Sequence, residues 1–297
     1  MPGIEGRPRA LGVWWLAIRP RTLSLSLTPV ILGAGLGWLQ AGRFDPLVFS
    51  LTLTTALLLQ IGANLHNDAA DFRRGADGPE RLGPARVVAR GWLDAGTVHR
   101  AALICFGLAV LSGLYLVWRG GWPLLMAGLL AVAVGIAYTG GPRPLAYRAL
   151  GEICVFLFFG WVAVAGSFYL QVATVSAMAL AQGTALGALA AAVLLVNNYR
   201  DMDQDRQTGK CTLAVLLGRP PSRRLYGALV LAPFAVAAWE RLYLPLLLLP
   251  AALWATATLW RRPPGAWLNG LLARTAQLQL GYAVLVLADI YWRQPLL

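Results

Sequence analysis

Long apolar segments separated by short polar ones run through the whole chain. A transmembrane helix needs about 20 mainly apolar residues, and nine segments come near that length. They cover about residues 22–40, 46–66, 101–118, 122–140, 150–171, 175–197, 225–239, 242–260 and 275–291. The pattern predicts an all-α membrane protein with nine transmembrane helices, forming one domain over residues 1–297.

The composition agrees with a membrane protein and narrows its partners. The chain is 58% hydrophobic and only 13% charged, about half the charged fraction of a soluble protein. Its net charge of +12 does not indicate nucleic-acid binding, because the basic residues lie between apolar segments and not on a soluble module. Membrane lipid is the expected surrounding, and no nucleic-acid partner is expected.

The charged residues predict an orientation. If the N-terminus is cytoplasmic, 21 of the 25 lysines and arginines fall on the cytoplasmic side, as the positive-inside rule requires. Eight of the 13 acids lie in the loops after the second and sixth segments, on that same side. We therefore expect a multi-pass protein of the cell inner membrane whose active site faces the cytoplasm.

Two acidic motifs stand at these loops, in residues 64–77 and 197–210. Each contains Asn-x-x-x-Asp, as Asn67/Asp71 and as Asn197/Asp201. Because four residues nearly complete one helical turn, Asn197 and Asp201 share a face with Asp205. The repeat suggests an internal duplication, with halves at roughly 1–140 and 141–297. Asp68 and Asp203 fall off the stripes, which leaves a supporting or a merely solvated role open for each.

Glycine is expected to end both motif helices. A turn at Gly75 would let Asp77 rejoin Asp71, and Gly209 would present Lys210. Clustered carboxylate and amide oxygens suit Mg²⁺, which commonly binds substrate phosphates as well. The motifs therefore predict a diphosphate held between them by Mg²⁺. Excess negative charge calls for nearby cations, and the candidates are Arg86, Arg143 and Lys210.

Other chemistry has little support in the sequence. His66 and His99 are the only histidines and belong to no Ser/His/Asp arrangement. No phosphate-binding or dinucleotide-binding glycine motif occurs at a strand-to-helix turn. An anion transporter remains a remote alternative, although it predicts ionisable residues inside the spans and not at one face.

Taken together, these motifs resemble the UbiA superfamily of intramembrane aromatic prenyltransferases. The matching stretches are Arg19-Pro20-Arg21-Thr22, residues 67–86, Tyr138-Thr139-Gly140-Gly141-Pro142-Arg143-Pro144-Leu145 and residues 197–213. The hydroxybenzoate branch typically has Asp-x-x-x-Asp in the first motif. Here Gly75 takes the second position and Asp77 follows, which points to the branch that acts on 1,4-dihydroxy-2-naphthoate.

The resemblance implies a nine-helix bundle around a central cavity, with an allylic polyprenyl diphosphate held on the two motifs by two Mg²⁺ ions. The implied reaction transfers the polyprenyl group to 1,4-dihydroxy-2-naphthoate, with loss of carbon dioxide and diphosphate, in menaquinone biosynthesis. Phytyl transfer to the same acceptor, for phylloquinone, and prenylation of another aromatic acceptor stay open.

The resemblance also implies roles for individual residues. The metal-binding set is expected to be Asn67, Asp71, Asp77, Asn197, Asp201 and Asp205. The four aspartates of that set and Lys210 are the expected catalytic residues. Arg86, Arg143 and Lys210 are expected to contact the diphosphate. Tyr138 is expected to stabilise the allylic cation or contact the diphosphate, and Asn64 and Tyr199 to line the acceptor site.

Overall fold

The structure is a computed structural model that describes residues 8–76 and 82–293. In these residues the chain is helical, and its β-type pairing is an isolated bridge between Arg148 and Cys211. The helices are α1 (Ala10–Ile18), α2 (Pro20–Ala41), α3 (Pro46–Arg73), α4 (Ala95–Gly120), α5 (Trp122–Ala137), α6 (Gly151–Phe156), α7 (Ala163–Val172), α8 (Ala177–Gln207), α9 (Leu213–Leu217), α10 (Arg219–Trp239), α11 (Leu249–Arg261) and α12 (Leu268–Arg293). A π-helical turn (Leu157–Val162) joins α6 to α7, and a 3₁₀ turn (Leu244–Leu248) precedes α11.

Each of the nine apolar segments coincides with a long helix or a pair of joined helices. Among the described residues, seven helical stretches are long and apolar enough to cross a membrane. The other two predicted spans correspond to α5, which has only 16 residues, and α10, whose first turns carry Arg219, Arg223 and Arg224. This is therefore an integral membrane protein, all-helical and with seven candidate spans over residues 8–76 and 82–293.

Polar side chains fix where several helices start. Asp45 accepts hydrogen bonds from the backbone N–H groups of Leu47 and Val48 at the start of α3. Asp94 caps α4 and Ser176 caps α8 in the same way. These caps satisfy backbone donors that a helix start otherwise leaves without a partner.

Contacts between helix ends show that successive long helices alternate in direction. The ends of α3 and α5 meet where Thr139 donates to Asn67 (2.7 Å), and the start of α12 meets α8 where Arg200 donates to Asn269 (2.7 Å). We call this end of the bundle the acidic face. At the opposite face, the backbone N–H of Asp45, before α3, donates to Gln171 of α7 (2.6 Å).

Five of the nine exposed tryptophans in the described residues lie at the opposite face. They lie at the ends of α2, α4, α10 and α12 and at the start of α5. These residues are Trp38, Trp118, Trp239, Trp292 and Trp122. Tryptophan concentrates at the boundary between lipid and water, so this ring is typical of a membrane interface.

The sixth long helix, α8, is the centre of the bundle. It contributes the largest share of the main buried core, and it packs against α6, α10 and α12. Its contact with the π-turn is very close: a Cβ atom at Gly160 would lie 2.5 Å from the Gly183 carbonyl oxygen. Small residues allow this approach in a membrane bundle.

Candidate active site

Both motif helices end with the same backbone turn. Gly75 and Gly209 adopt positive φ angles of 69° and 70°. The next N–H group folds back in each case: Ala76 donates to the Asp71 carbonyl (3.0 Å) and Lys210 to the Asp205 carbonyl (2.8 Å). The predicted glycine ends are thus confirmed.

These turns change how the two motifs correspond. Each glycine follows an aspartate by four residues, so Asp71 corresponds to Asp205 and Asn67 corresponds to Asp201 in the two motifs. The pairing of Asn67/Asp71 with Asn197/Asp201, which the sequence suggested, is therefore wrong by one helical turn. The short sequence similarity showed that the motif is repeated but not which residues of the two copies correspond, because both helices carry polar residues at four-residue spacing.

The two motifs meet at the Lys210 ammonium group. Its Nζ atom lies 3.9 Å from Asp71 Oδ2 and 3.9 Å from Asp205 Oδ1. It also lies over the Tyr147 ring, 5.5 Å from the ring centre. Both carboxylates are buried, with 2% and 6% exposure. The structure thus brings carboxylates of both motifs around one positive charge.

Asp71 receives further hydrogen bonds. Arg86 donates to its Oδ2 atom (3.2 Å) and the Tyr147 hydroxyl donates to its Oδ1 atom (3.2 Å). Burial, and then the charge of Asp71, raises the pKa of Tyr147 above its ordinary value. Tyr147 therefore stays a hydrogen-bond donor at neutral pH. Sequence reasoning missed this residue, although it lies only three positions after the Gly-Gly-Pro-Arg-Pro stretch.

Arg200 donates hydrogen bonds to two residues of the second motif, Asn197 and Asp201. Its guanidinium makes two hydrogen bonds to Asp201, each 2.7 Å, and a third to Asn197 Oδ1 (2.9 Å). It also donates to Asn269, which in turn donates to the Leu82 carbonyl (2.9 Å). Asp201 and Asn197 are thus bound by an arginine inside the motif, to which the sequence analysis assigned no role.

The aspartates off the stripes have separate surroundings. Asp68 is buried and accepts a hydrogen bond from the Val87 N–H (3.1 Å), which fixes the segment that carries Arg86. Asp203 is exposed and pairs with Arg219 (2.6 Å). Asp68 therefore has the supporting role, whereas Asp203 lies at the surface.

Three expected substrate residues lie apart from this cluster. Tyr199 points into the core, where its hydroxyl accepts a hydrogen bond from Arg223 (2.9 Å), because it lies two residues from Asp201 and so on another face of α8. Asn64 donates to the Ile18 carbonyl (2.9 Å) at the junction of α1 and α2. Arg143 is exposed and forms no ion pair with a described residue.

The ionised groups of the site balance in charge over the described residues. Three acids face three bases, and all six are largely buried. They are Asp71, Asp201 and Asp205 with Arg86, Arg200 and Lys210. Asp77, expected to complete the acidic set, lies outside the described residues.

The donor set fits Mg²⁺ together with phosphate. Over residues 8–76 and 82–293, no three His, Cys, Asp or Glu side chains form a ready metal cage. Mg²⁺ usually binds one or two carboxylates and completes its shell with phosphates and water. Asp71 and Asp205 supply such a pair, and Lys210 already provides positive charge between them.

Comparison with known proteins agrees with this arrangement. The UbiA prenyltransferase family matches residues 26–266. The 1,4-dihydroxy-2-naphthoate octaprenyltransferase of Escherichia coli K12 is 42% identical over 236 residues, covering 77% of this chain and 76% of its own. The enzyme of that name from Mycobacterium tuberculosis is 39% identical, covering 73% and 74%.

Solved structures share the fold. A UbiA homologue from Aeropyrum pernix superposes with a TM-score of 0.68 at 17% identity, covering 94% of this chain and 100% of its own. A homologue from Archaeoglobus fulgidus, solved with GPP and Mg²⁺, has a TM-score of 0.64 at 16% identity and covers 94% and 99%. With its family match, its relatives and its paired acidic motifs, this chain belongs to the UbiA prenyltransferase family.

Proposed function

We propose that this protein transfers a polyprenyl group from an allylic polyprenyl diphosphate to 1,4-dihydroxy-2-naphthoate, releasing diphosphate and carbon dioxide, in menaquinone biosynthesis. Relatives at 36% to 42% identity carry the name 1,4-dihydroxy-2-naphthoate octaprenyltransferase. The observation that carries the proposal is the convergence of Asp71 and Asp205 on Lys210.

The acidic residues hold the donor's head. Asp71 and Asp205 would hold two Mg²⁺ ions, together with Asn67, Asp77, Asn197 and Asp201. When bound, Mg²⁺ neutralises the charge that grows on the departing diphosphate. Asp201 and Asn197, which accept hydrogen bonds from Arg200, would contribute their oxygens to the same metal-binding set.

The basic residues bind the diphosphate. Lys210 and Arg86 lie beside Asp71, where they would contact the oxygens of a diphosphate held at that carboxylate. Arg143, exposed on the same face, approaches the diphosphate from outside. Cations beside the leaving group favour the charge of the transition state over that of the ground state.

The bundle shields the reacting carbon. We assign nine crossings, an N-terminus and an acidic face in the cytoplasm, and a central apolar chamber for the prenyl chain. Alternating helix ends, the tryptophans of the opposite face and the arginine distribution support this placement. Exclusion of water protects an allylic cation until the electron-rich ring attacks it, and Tyr138 lies near the acidic residues to stabilise that cation.

A product assay tests the proposal. The purified chain in lipid vesicles receives donors of several lengths, including phytyl diphosphate, with either 1,4-dihydroxy-2-naphthoate or 4-hydroxybenzoate. Mass spectrometry should find a decarboxylated prenyl naphthoquinol that forms only with Mg²⁺. A product from 4-hydroxybenzoate alone would contradict the acceptor, and a preference for phytyl would contradict the polyprenyl donor.

A further inference from the structure

A buried glutamate lies near the acidic site and has no part in the diphosphate chemistry. Glu152 is in the first turn of α6 and is 4% exposed. Its Oε1 atom accepts a hydrogen bond of 2.8 Å from Asn198 of α8. Its Oε2 atom is buried and has no hydrogen-bond partner.

An oxygen of this kind calls for a physical explanation. Burying a carboxylate oxygen without a hydrogen-bond donor costs free energy, and native structures rarely leave one so. Asn198 fixes one oxygen of Glu152 and thereby directs the other. The arrangement suits a ligand that brings its own donor, such as a hydroxyl group.

The Tyr138 side chain connects Glu152 to the acidic motifs. A Cβ atom at Gly151, the residue before Glu152, would lie 2.9 Å from the Tyr138 hydroxyl. The same tyrosine is within electrostatic reach of Glu152, Asp71 and Asp205. In the described residues, Tyr138 is the titratable side chain from outside α6 that interacts with Glu152. Tyr138 thus neighbours both Glu152 and the aspartates assigned to the diphosphate, so an aromatic acceptor bound beside Tyr138 would be within reach of Glu152 and of the allylic carbon.

We propose that Glu152 is the catalytic base for the aromatic acceptor, an inference that rests on the proposed function. The acceptor carries a hydroxyl on the carbon next to its carboxylated carbon. As that carboxylated carbon bonds to the allylic carbon, the hydroxyl proton passes to Glu152 Oε2 and the C–O bond becomes a carbonyl.

The remaining steps restore the base. The product of the first step is a β-keto acid carboxylate, which loses carbon dioxide and leaves its electron pair as an enolate. The enolate oxygen takes the proton back from Glu152, and the aromatic hydroquinol forms. Glu152 ends as it began, and no oxidant or further reactant is consumed.

Glu152→Gln tests this role, because glutamine can still accept from Asn198 but cannot take a proton. Glu240→Gln is the matched control, since Glu240 ends α10 at the opposite face. General-base catalysis contributes about 10²–10⁴-fold, so we expect kcat with 1,4-dihydroxy-2-naphthoate to fall at least about 100-fold. The KM for the donor and the thermal unfolding temperature in detergent should stay unchanged.

An acceptor analogue separates a base from a structural residue. If the hydroxyl next to the carboxylate is O-methylated, there is no proton to remove. The Glu152→Gln variant and the native protein should then convert this analogue at the same rate. An equal loss with both acceptors, or full activity of the variant, would overturn the proposal. Failure of the native protein to use 1,4-dihydroxy-2-naphthoate would instead contradict the proposed function.

Discussion

Lys210 lies where we propose that the metal-bound diphosphate binds. Its removal should therefore change Mg²⁺ binding and the turnover rate in opposite directions. In the structure, the ammonium group neutralises Asp71 and Asp205 at 3.9 Å from each. Mg²⁺ must compete with it for the same carboxylates. Lys210→Gln therefore removes both a competitor of the metal and a cation that stabilises the leaving group.

The size of both effects follows from the geometry. At about 4 Å, one ion pair is worth about 4 kcal/mol at an effective dielectric constant of about 20. Desolvation offsets much of this attraction, so we take about 1.5 kcal/mol as the net competition, which corresponds to about a tenfold change in affinity. Loss of one positive contact to the developing charge costs about 10²–10³-fold in kcat.

The assay measures diphosphate release at increasing Mg²⁺ concentration in detergent micelles. The Mg²⁺ concentration for half-maximal rate should fall about tenfold in Lys210→Gln, while the maximal rate falls about 10²–10³-fold. Arg206→Gln is the control, because Arg206 is an exposed base in the last turn of α8. An unchanged Mg²⁺ requirement in the Lys210 variant would refute the placement of this lysine between metal ligands.

Two further changes test the supports of the site. Arg200→Gln should destabilise the protein by about 3 kcal/mol or more, because it leaves the buried Asp201 without its charged partner; an unchanged unfolding temperature would contradict that pairing. Gly209→Ala should cost about 1 kcal/mol, because alanine is strained at a φ of 70°, and should lower turnover by misplacing Lys210. Gly107→Ala, which meets no atom within 4 Å, should do neither, and equal effects of both substitutions would argue against a role for the turn.

Much of the fold could be predicted from local sequence. The lengths of the apolar segments located the helices, since each predicted span coincides with a helix. However, α5 and α10 are not among the seven helical stretches that are long and apolar enough to cross a membrane. The glycine ends after Asp71 and Asp205 were also predictable, because a positive φ angle favours glycine at a helix end. These features depend on residues close together in the chain.

The unpredicted features depend on contacts across the bundle. Tyr147 meets Asp71 across 76 positions, and Arg200 meets Asn269 across 69. No spacing rule reports such contacts, because they are set by how whole helices pack. Tyr199 shows the same difficulty: it stands inside a polar motif, yet the rotation of α8 turns it toward Arg223 and the core.

The central claim is that two acidic motifs form one site for a Mg²⁺-bound diphosphate. The most direct measurement is the binding of a non-reactive thio-diphosphate analogue of the donor, with and without Mg²⁺, to Asp71→Asn, Asp205→Asn and Asp203→Asn. We predict Mg²⁺-dependent binding by the native protein and by the variant of exposed Asp203, and its loss in both other variants. Normal Mg²⁺-dependent binding after either Asp71 or Asp205 is neutralised would contradict the claim.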